Sequence, residues 1–335
     1  MEEKTTLEVY KNILGEYLTN RNETALYRAQ RFSRIALENN TSPEEVINMH
    51  ILALQEIFPE LRQEVRDSFD LLLEVMMEYG MAYQEHQSLR IQQFELKAEI
   101  EVAANMQQTL LKTNYPDINS LDIGAVSVPS KKMNGDYFHF VQDENQCVSV
   151  AIADIIGKGI PAALCMSMIK YTMESHSETR MNPQSVLENL NRVVEQNVDP
   201  SMFITMLYGV YDLRNHCFSY ASAGHEPGFR YIAEKGRFED LFTKGLVLGV
   251  SRNATYKEYR CKLESNDMII LLTDGVTECR SGNDFIERET ISEIIKENIH
   301  LPAQEIVDNV YRRLEKLQDF ELRDDFTLII IRRQV

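Results

Sequence analysis

From the N-terminus, apolar residues recur at helical spacing. Leu7, Tyr10, Ile13, Leu14, Tyr17 and Leu18 form one set, and Ala25, Leu26, Ala29, Phe32 and Ala36 a second. Ser42-Pro43-Glu44-Glu45 is a capping box with proline at the first helical position, so a third helix begins there. It turns Val46, Ile47, Ile51 and Leu54 inward and stops before Pro59, and Leu61, Val65, Phe69, Leu72, Leu73 and Met76 predict a fourth helix. Residues 1–84 therefore predict a small antiparallel bundle. It holds no catalytic grouping, and Met76-Met77 and its tyrosines read as core.

Between Tyr83 and Leu111 the chain is rich in Glu, Gln, Lys and Ala and has neither Gly nor Pro. Leu89, Leu96, Ala103 and Leu110 recur every seven residues, with Gln93, Ile100 and Gln107 four places after the first three. That is a heptad seam with two polar layers and one thin one. It predicts a linker helix within 85–117, either pairing as a weak coiled coil or lying as an amphipathic helix on its own domain.

After Asn114-Tyr115-Pro116 the texture changes to β-branched and aromatic runs. Strands are predicted at 121–128, 137–141, 147–153, 202–211, 217–223, 268–273 and 326–333. Helices are predicted at 160–175, 183–197, 286–298 and 302–318, with Pro161, Pro183 and Pro302 suiting first-turn positions. Strand hairpins and helices are grouped without regular βαβ alternation, so residues 118–335 predict one α+β domain.

Four aspartates stand at the ends of these strands. Val148 to Ala153 and Met268 to Thr273 terminate on Asp154 and Asp274, while Tyr137 to Val141 and Phe326 to Ile331 begin just after Asp136 and Asp324. Exits and entries share one rim when neighbouring strands run antiparallel. A hairpin turning at Glu144-Asn145 would place Asp136 opposite Asp154. Clustered carboxylates repel unless a positive charge lies between them. With no basic residue inside these motifs except Lys158, a divalent cation is the natural candidate. Gly135, Gly157, Gly159 and Gly275 would let backbone approach a metal, its waters or a phosphate. Gly157-Lys158-Gly159 is not a Walker loop, since no Ser or Thr follows the lysine. Lys158 either meets a substrate phosphate or is an exposed loop lysine. His225, in Ala223-Gly224-His225-Glu226-Pro227, is either a substrate-side contact or an exposed loop histidine.

Composition narrows the partners. A net charge of −17 over 335 residues argues against nucleic acid and anionic membrane, and repels a phosphorylated substrate at long range, so any attraction must be local. No apolar run approaches the ~18 residues of a membrane span and the N-terminus is not a signal peptide, which predicts a cytoplasmic protein. Cys147, Cys165, Cys217, Cys261 and Cys279 lack any CxxC spacing and read as reduced structural thiols.

The joint occurrence of Asn134-Gly135-Asp136, Ala153-Asp154-Ile155-Ile156-Gly157-Lys158-Gly159, Thr273-Asp274-Gly275-Val276-Thr277-Glu278 and Asp324-Asp325-Phe326-Thr327 resembles the metal-dependent (PPM-type) serine/threonine protein phosphatases. The likeness is to their bacterial branch, typified by the sporulation phosphatase SpoIIE, and covers residues 118 to 333. The bundle and linker before it resemble the stress-response regulators of that branch. The resemblance implies two antiparallel sheets packed together and flanked by helices, with two Mg2+ or Mn2+ ions at one rim. Asp154 would bridge the ions, with the Ile155 carbonyl nearby; Asp274 and Asp324 would hold the first and Asp136 the second, partly through water. Asp325 would stand behind them or exchange places with Asp324, and Glu278 would be either a supporting carboxylate or surface. Eukaryotic members carry a histidine two residues after the bridging aspartate; Ile156 stands here, so no general acid is assigned. The implied activity is phosphoserine/phosphothreonine hydrolysis on a phosphorylated anti-anti-sigma factor, a STAS-domain protein. The implied activator is a GHKL-class switch kinase binding residues 1–84, with the chain dimeric at least when activated. A catalytically inactive scaffold is the alternative, and a two-metal nuclease is disfavoured by the acidic surface.

Overall fold

The structure, a computed structural model, describes residues 2–39, 41–143, 147–157, 159–175, 182–199, 202–242, 244–281, 284–320 and 322–334. The chain folds as two compact units, Met1–Lys97 and Ala98–Val335.

The first unit holds α1 (Glu2–Asn20), α2 (Glu23–Glu38), α3 (Pro43–Ile57) and the start of α4 (Gln63–Leu110). Asn22 caps α2 by accepting from the Ala25 amide, and at α3 both halves of the Ser42/Glu45 capping box form. Ile13, Phe32 and Ala36 form a small buried core, with the Tyr10 ring 5.1 Å from Phe32 in an edge contact. The expected fourth helix and linker helix are one element, because nothing between Gln63 and Leu110 breaks a helix: Gly80 is the sole glycine and proline is absent. The helix stops short of the expected 117, and residues 112–118 are irregular. The heptad seam is not uniform either, since Leu89 and Leu96 are more than half exposed while Gln107 is buried.

The second unit is built on two five-stranded sheets, each wholly antiparallel. One orders β1 (Leu121–Val128), β12 (Phe326–Arg333), β9 (Met268–Leu272), β6 (Phe229–Ile232) and β7 (Arg237–Asp240). The other orders β2 (Asp136–Gln142), β3 (Cys147–Ile155), β4 (Ile204–Asp212), β5 (Cys217–Ala223) and β8 (Tyr259–Lys262). Side-chain alternation sorts each strand onto two cores. Val148, Val150 and Ile152 meet Ile269, Leu271, Ile329 and Ile331 between the sheets. Ala151, Ala153 and Ile155 face outward, under α5 (Ile160–Ser175) and α6 (Pro183–Asn197). Met268, Ile270, Leu272, Leu328 and Ile330 face α8 (Arg288–Glu297) and α9 (Ala303–Leu317). Both faces of the central strands are thus covered, which is why they read as continuous apolar runs.

Three strands escape the sequence pattern: β6, β7 and β8 are four residues each, and β7 and β8 close the two sheets with Arg, Glu, Asp and Lys. Charged, short edge strands discourage pairing with another chain and carry little hydrophobic signal. The four-residue helix α7 (Asp274–Thr277) and the hairpin of β10 (Arg280–Ser281) and β11 (Asp284–Phe285) are also additions.

Candidate active site

The inter-sheet core ends at one rim in a polar row. Following the inner-face alternation past Ile152 leads to Asp154, past Phe138 to Asp136, past Leu207 to Thr205, past Leu271 to Thr273 and past Ile329 to Thr327. Asp136 pairs in register with Asp154, as the residue count across the hairpin predicts, and Asp154 pairs with Thr205. The turn at Glu144-Asn145 lies outside the described residues.

Hydrogen bonds tie this row across the sheets. Thr273 Oγ1 donates to Asp136 Oδ2 at 2.7 Å and accepts from the Thr327 amide at 3.1 Å. Ser127 and Thr327 hydroxyls meet at 2.9 Å, and Asn134 Nδ2 donates to Ser127 Oγ at 2.9 Å. Asp136 is 2% exposed, and burial pushes its carboxyl well above the usual range; Thr273 and Thr327 partly counter this, while Asp154 and Asp325 reinforce it. These threonines and Ser127 carry no sequence signal, because β-branched hydroxyl residues are ordinary in strands.

Asp324 and Asp325 do different things. Asp325 is buried and fully engaged: Oδ1 accepts from the Ser130 amide at 2.7 Å and its hydroxyl at 2.9 Å, and Oδ2 accepts from the Gly135 amide at 2.5 Å. Asp324 is exposed and lies near Asp274, which it pushes toward protonation. Burial is the larger influence on Asp274, and Glu278 acts in the same direction as Asp324. Asp274 opens α7, where its carbonyl accepts from the Glu278 amide at 2.6 Å.

Two glycines permit this closeness. A β-carbon on Gly135 would lie 3.1 Å from Asp325 Oδ2, 3.5 Å from Asp154 Oδ1 and 3.5 Å from the Ile155 carbonyl oxygen. On Gly275 it would sit 2.0 Å from the Asp325 carbonyl oxygen, an impossible overlap. Gly157 and Gly159 adopt φ of 127° and 86°, backbone that shapes the loop after Asp154. Lys158 lies outside the described residues.

His225 is not an exposed loop residue. It is 4% exposed, its Nδ1 lies 2.9 Å from Thr205 Oγ1, and its Nε2 is buried without a hydrogen-bond partner among the described residues. Burial pushes its imidazole down to about 4, so the ring is neutral and braces Thr205, the strand partner of Asp154. Its flanking Gly and Pro point to a loop tip, but Gly224 bridges to Met206 and the ring is buried against Thr205. Next to it, Glu226 pairs with Arg288 at 2.5 Å, and Arg288 also donates to the Pro227 carbonyl at 2.7 Å.

Gln107 near the end of α4 is a further residue that sequence alone misplaces. Its amide accepts from the Asn134 N–H at 3.0 Å and donates to the Asn134 carbonyl at 2.8 Å, one residue before Gly135-Asp136. It is therefore no open position on a seam.

Asp136, Asp154 and Asp325 make one set of interacting carboxyls, and Asp274, Asp324 and Glu278 a second, with Gly275 packed on the peptide that joins them. Among the described residues, no three Asp, Glu, His or Cys side chains already converge as a ligand group; Asp136 and Asp325 are turned to protein donors. The donors gathered here are oxygens only, including the Ile155 carbonyl, around glycines that leave the space open. That set fits Mg2+ or Mn2+ and not a soft metal. None of the five cysteines forms a disulfide, and no thiol stands among these oxygen donors.

Comparison with known proteins agrees with this geometry. Residues 144–334 match the family model for stage II sporulation protein E, and residues 8–82 match that for the N-terminal domain of the phosphoserine phosphatase RsbU. The phosphoserine phosphatase RsbU of Bacillus subtilis is 57% identical over 326 residues, covering 97% of each chain. The PP2C domain of SiaA from Pseudomonas aeruginosa shares the fold with a TM-score of 0.60 at 16% identity, covering 73% of this chain and 98% of that one. A structure of RsbX in complex with magnesium matches with a TM-score of 0.50 at 18% identity, covering 66% and 99%.

Proposed function

Because the chain belongs to the RsbU family of SpoIIE-type PP2C phosphatases, and is thus a protein-serine/threonine phosphatase, we propose how it works and on what. Its substrate is a phosphorylated anti-anti-sigma protein of the STAS class, whose dephosphorylation activates a stress-response sigma factor. Its activator is a GHKL-class switch kinase bound to the helical region 1–84, residues 85–117 link the two regions, with α4 covering them as far as Leu110, and residues 118–335 catalyse. Exposed apolar side chains on the first unit, among them Tyr27, Leu37 and Leu71, support a partner surface there. Exposed Leu89 and Leu96 support pairing of two copies along α4 in the activated state. No helix among the described residues is long and apolar enough to cross a membrane.

What supports this reading is that Asp136 meets Asp154 in register within one set of interacting carboxyls, that Asp274 and Asp324 interact in a second, and that Gly135 and Gly275 pack against Asp325 beside them. Asp136, Asp154 with the Ile155 carbonyl, Asp274 and Asp324 would together hold two Mn2+ or Mg2+ ions. The ions, when bound, supply charge neutralisation of the phosphoryl oxygens and activation of the attacking water. The chain's own residues do the positioning. Thr273 and Thr327 aim the Asp136 carboxylate, the Ser130 and Gly135 donors fix Asp325 beneath the site, and His225 steadies Thr205 beside Asp154. Ile156, which is 42% exposed, offers no proton to a leaving serine. Incubating the full chain with a phosphoserine protein with and without Mn2+ tests the reading. Phosphate release only with the metal is expected, and binding without release would leave a scaffold instead.

A further inference from the structure

A chain of net charge −17 offers a phosphate dianion no long-range attraction, so recognition must come from cations set at the rim itself. Two stand there. Arg280 opens β10, and Arg323 immediately precedes Asp324; together with Gly275, Glu278, Gln318 and Asp324 they line one pocket of about 190 Å3. Arg323 is exposed and makes no ion pair among the described residues. Both approach from fixed ground. Gln318 Nε2 donates to Cys279 Sγ at 3.0 Å and Cys279 Sγ donates to the Gly275 carbonyl at 3.1 Å, joining the end of α9 to the helix that carries Asp274. The peptide after Arg323 is pinned by the three donors on the Asp325 carboxylate.

We propose that Arg280 and Arg323 are substrate-recognition residues that grip the non-reacting oxygens of a phosphate monoester entering beside Asp274 and Asp324. The proposal rests on the assignment of those aspartates to the reacting centre. A pocket this small suits the phosphorylated head of one side chain and not a folded surface. Guanidinium groups suit the task because their paired N–H donors match phosphate oxygens two at a time, which an ammonium does not. The pocket's charged lining is two arginines with Glu278 and Asp324, formally neutral where the whole molecule is strongly negative, and it would be net positive with Asp324 engaged by a metal ion.

The test uses the full chain with Arg280→Gln, Arg323→Gln and the corresponding lysine variants. Hydrolysis of para-nitrophenyl phosphate is followed at saturating Mn2+, together with competitive inhibition by inorganic phosphate, the Mn2+ concentration for half-activity, and Tm. Each glutamine variant should raise KM and the phosphate inhibition constant about tenfold, with kcat less affected. The Mn2+ requirement and Tm should stay unchanged, and lysine should restore part of the loss. Unaltered KM and phosphate inhibition in an active enzyme would overturn the proposal. So would a raised Mn2+ requirement with unchanged phosphate inhibition, since the arginines would then act on the aspartates. If the wild-type chain hydrolyses no phosphate ester, the assignment of the reacting centre fails first. Calorimetric titration of inorganic phosphate with Mn2+ present then decides the arginines separately: equal binding by wild type and variants rejects them.

Discussion

Gln107 and Asn134 hold each other in both directions, the glutamine amide closing on the backbone N–H and C=O of the residue that precedes Gly135-Asp136. The end of the long helix α4 is thereby bonded directly to the candidate metal-binding turn. Replacing Gln107 with leucine would leave two part-buried backbone groups without this partner, at a cost on the order of 1 kcal/mol. The expected result is a lowered Tm and a larger fractional loss of Mn2+-dependent phosphate release. Gln93→Leu, on a stretch that makes no such bond, should leave basal release intact and strengthen any self-association seen by sedimentation. Equal basal activity in both variants would show that the Gln107 bond does not support the site.

The adjacent aspartates can be separated by experiment. Asp325→Ala removes the acceptor for three donors, two of them backbone amides, and should destabilise the protein by about 3 kcal/mol or more. Asp324→Ala, at an exposed carboxylate, should change Tm little and abolish Mn2+-dependent turnover. Melting curves alongside phosphate release distinguish them. The reverse pattern would exchange their roles.

Asp154→Ala and Asp274→Ala should both eliminate metal-dependent phosphate release while the chain stays folded. Without added metal, their Tm should equal or exceed that of the wild type, because each removes one member of a set of mutually repelling carboxyls. Near-normal turnover by either variant would reject its assignment as a ligand.

His225 gives the fold a pH dependence with a defined sign. Its folded-state value of about 4 lies below the ~6.5 of an unfolded histidine. The unfolded chain therefore binds the extra proton first, and the stability contributed by the neutral ring is complete above about pH 6.5 and lost as pH falls toward 4. The full effect is on the order of 3 kcal/mol. His225→Asn should be less stable than wild type at about pH 7.5, and that gap should narrow at about pH 5. A Tm difference independent of pH would mean that the ring is not held neutral.

Much of the active rim was legible because hairpin arithmetic needs only residue counts: Asp136 meets Asp154 whatever the turn between them does. The apolar runs ending at Ala153 and Thr273 located β3 and β9 for the same reason, both faces being covered by core. What the sequence concealed were residues whose partners are remote. Thr273, Thr327 and Ser127 look like ordinary strand residues until three strands meet. Gln107 fits a heptad frame because that frame counts only positions along one helix, whereas its partner comes from another segment. His225 is flanked by turn formers, and its partner Thr205 lies twenty residues away in the chain. The short charged edges β7 and β8 carry the features that suppress a strand signal, and α4 hid its continuity because two different functions were expected along it.

The place of β12 has a consequence in time. It is the last strand described, yet it inserts between β1 and β9, and its neighbouring residues reach back across the chain: the Gly135–Asp325 bond joins positions 190 residues apart and the Thr273–Asp136 bond positions 137 apart. Contacts of such long sequence separation form late, after loop-closure entropy has been overcome. On a ribosome, the β2–β3 hairpin can form with Asp136 and Asp154 in place while Asp324 is still unsynthesised. A nascent or half-folded copy would therefore hold only part of the proposed ligand set. With the proposed ligand roles, metal-dependent hydrolysis would await the insertion of β12 between β1 and β9.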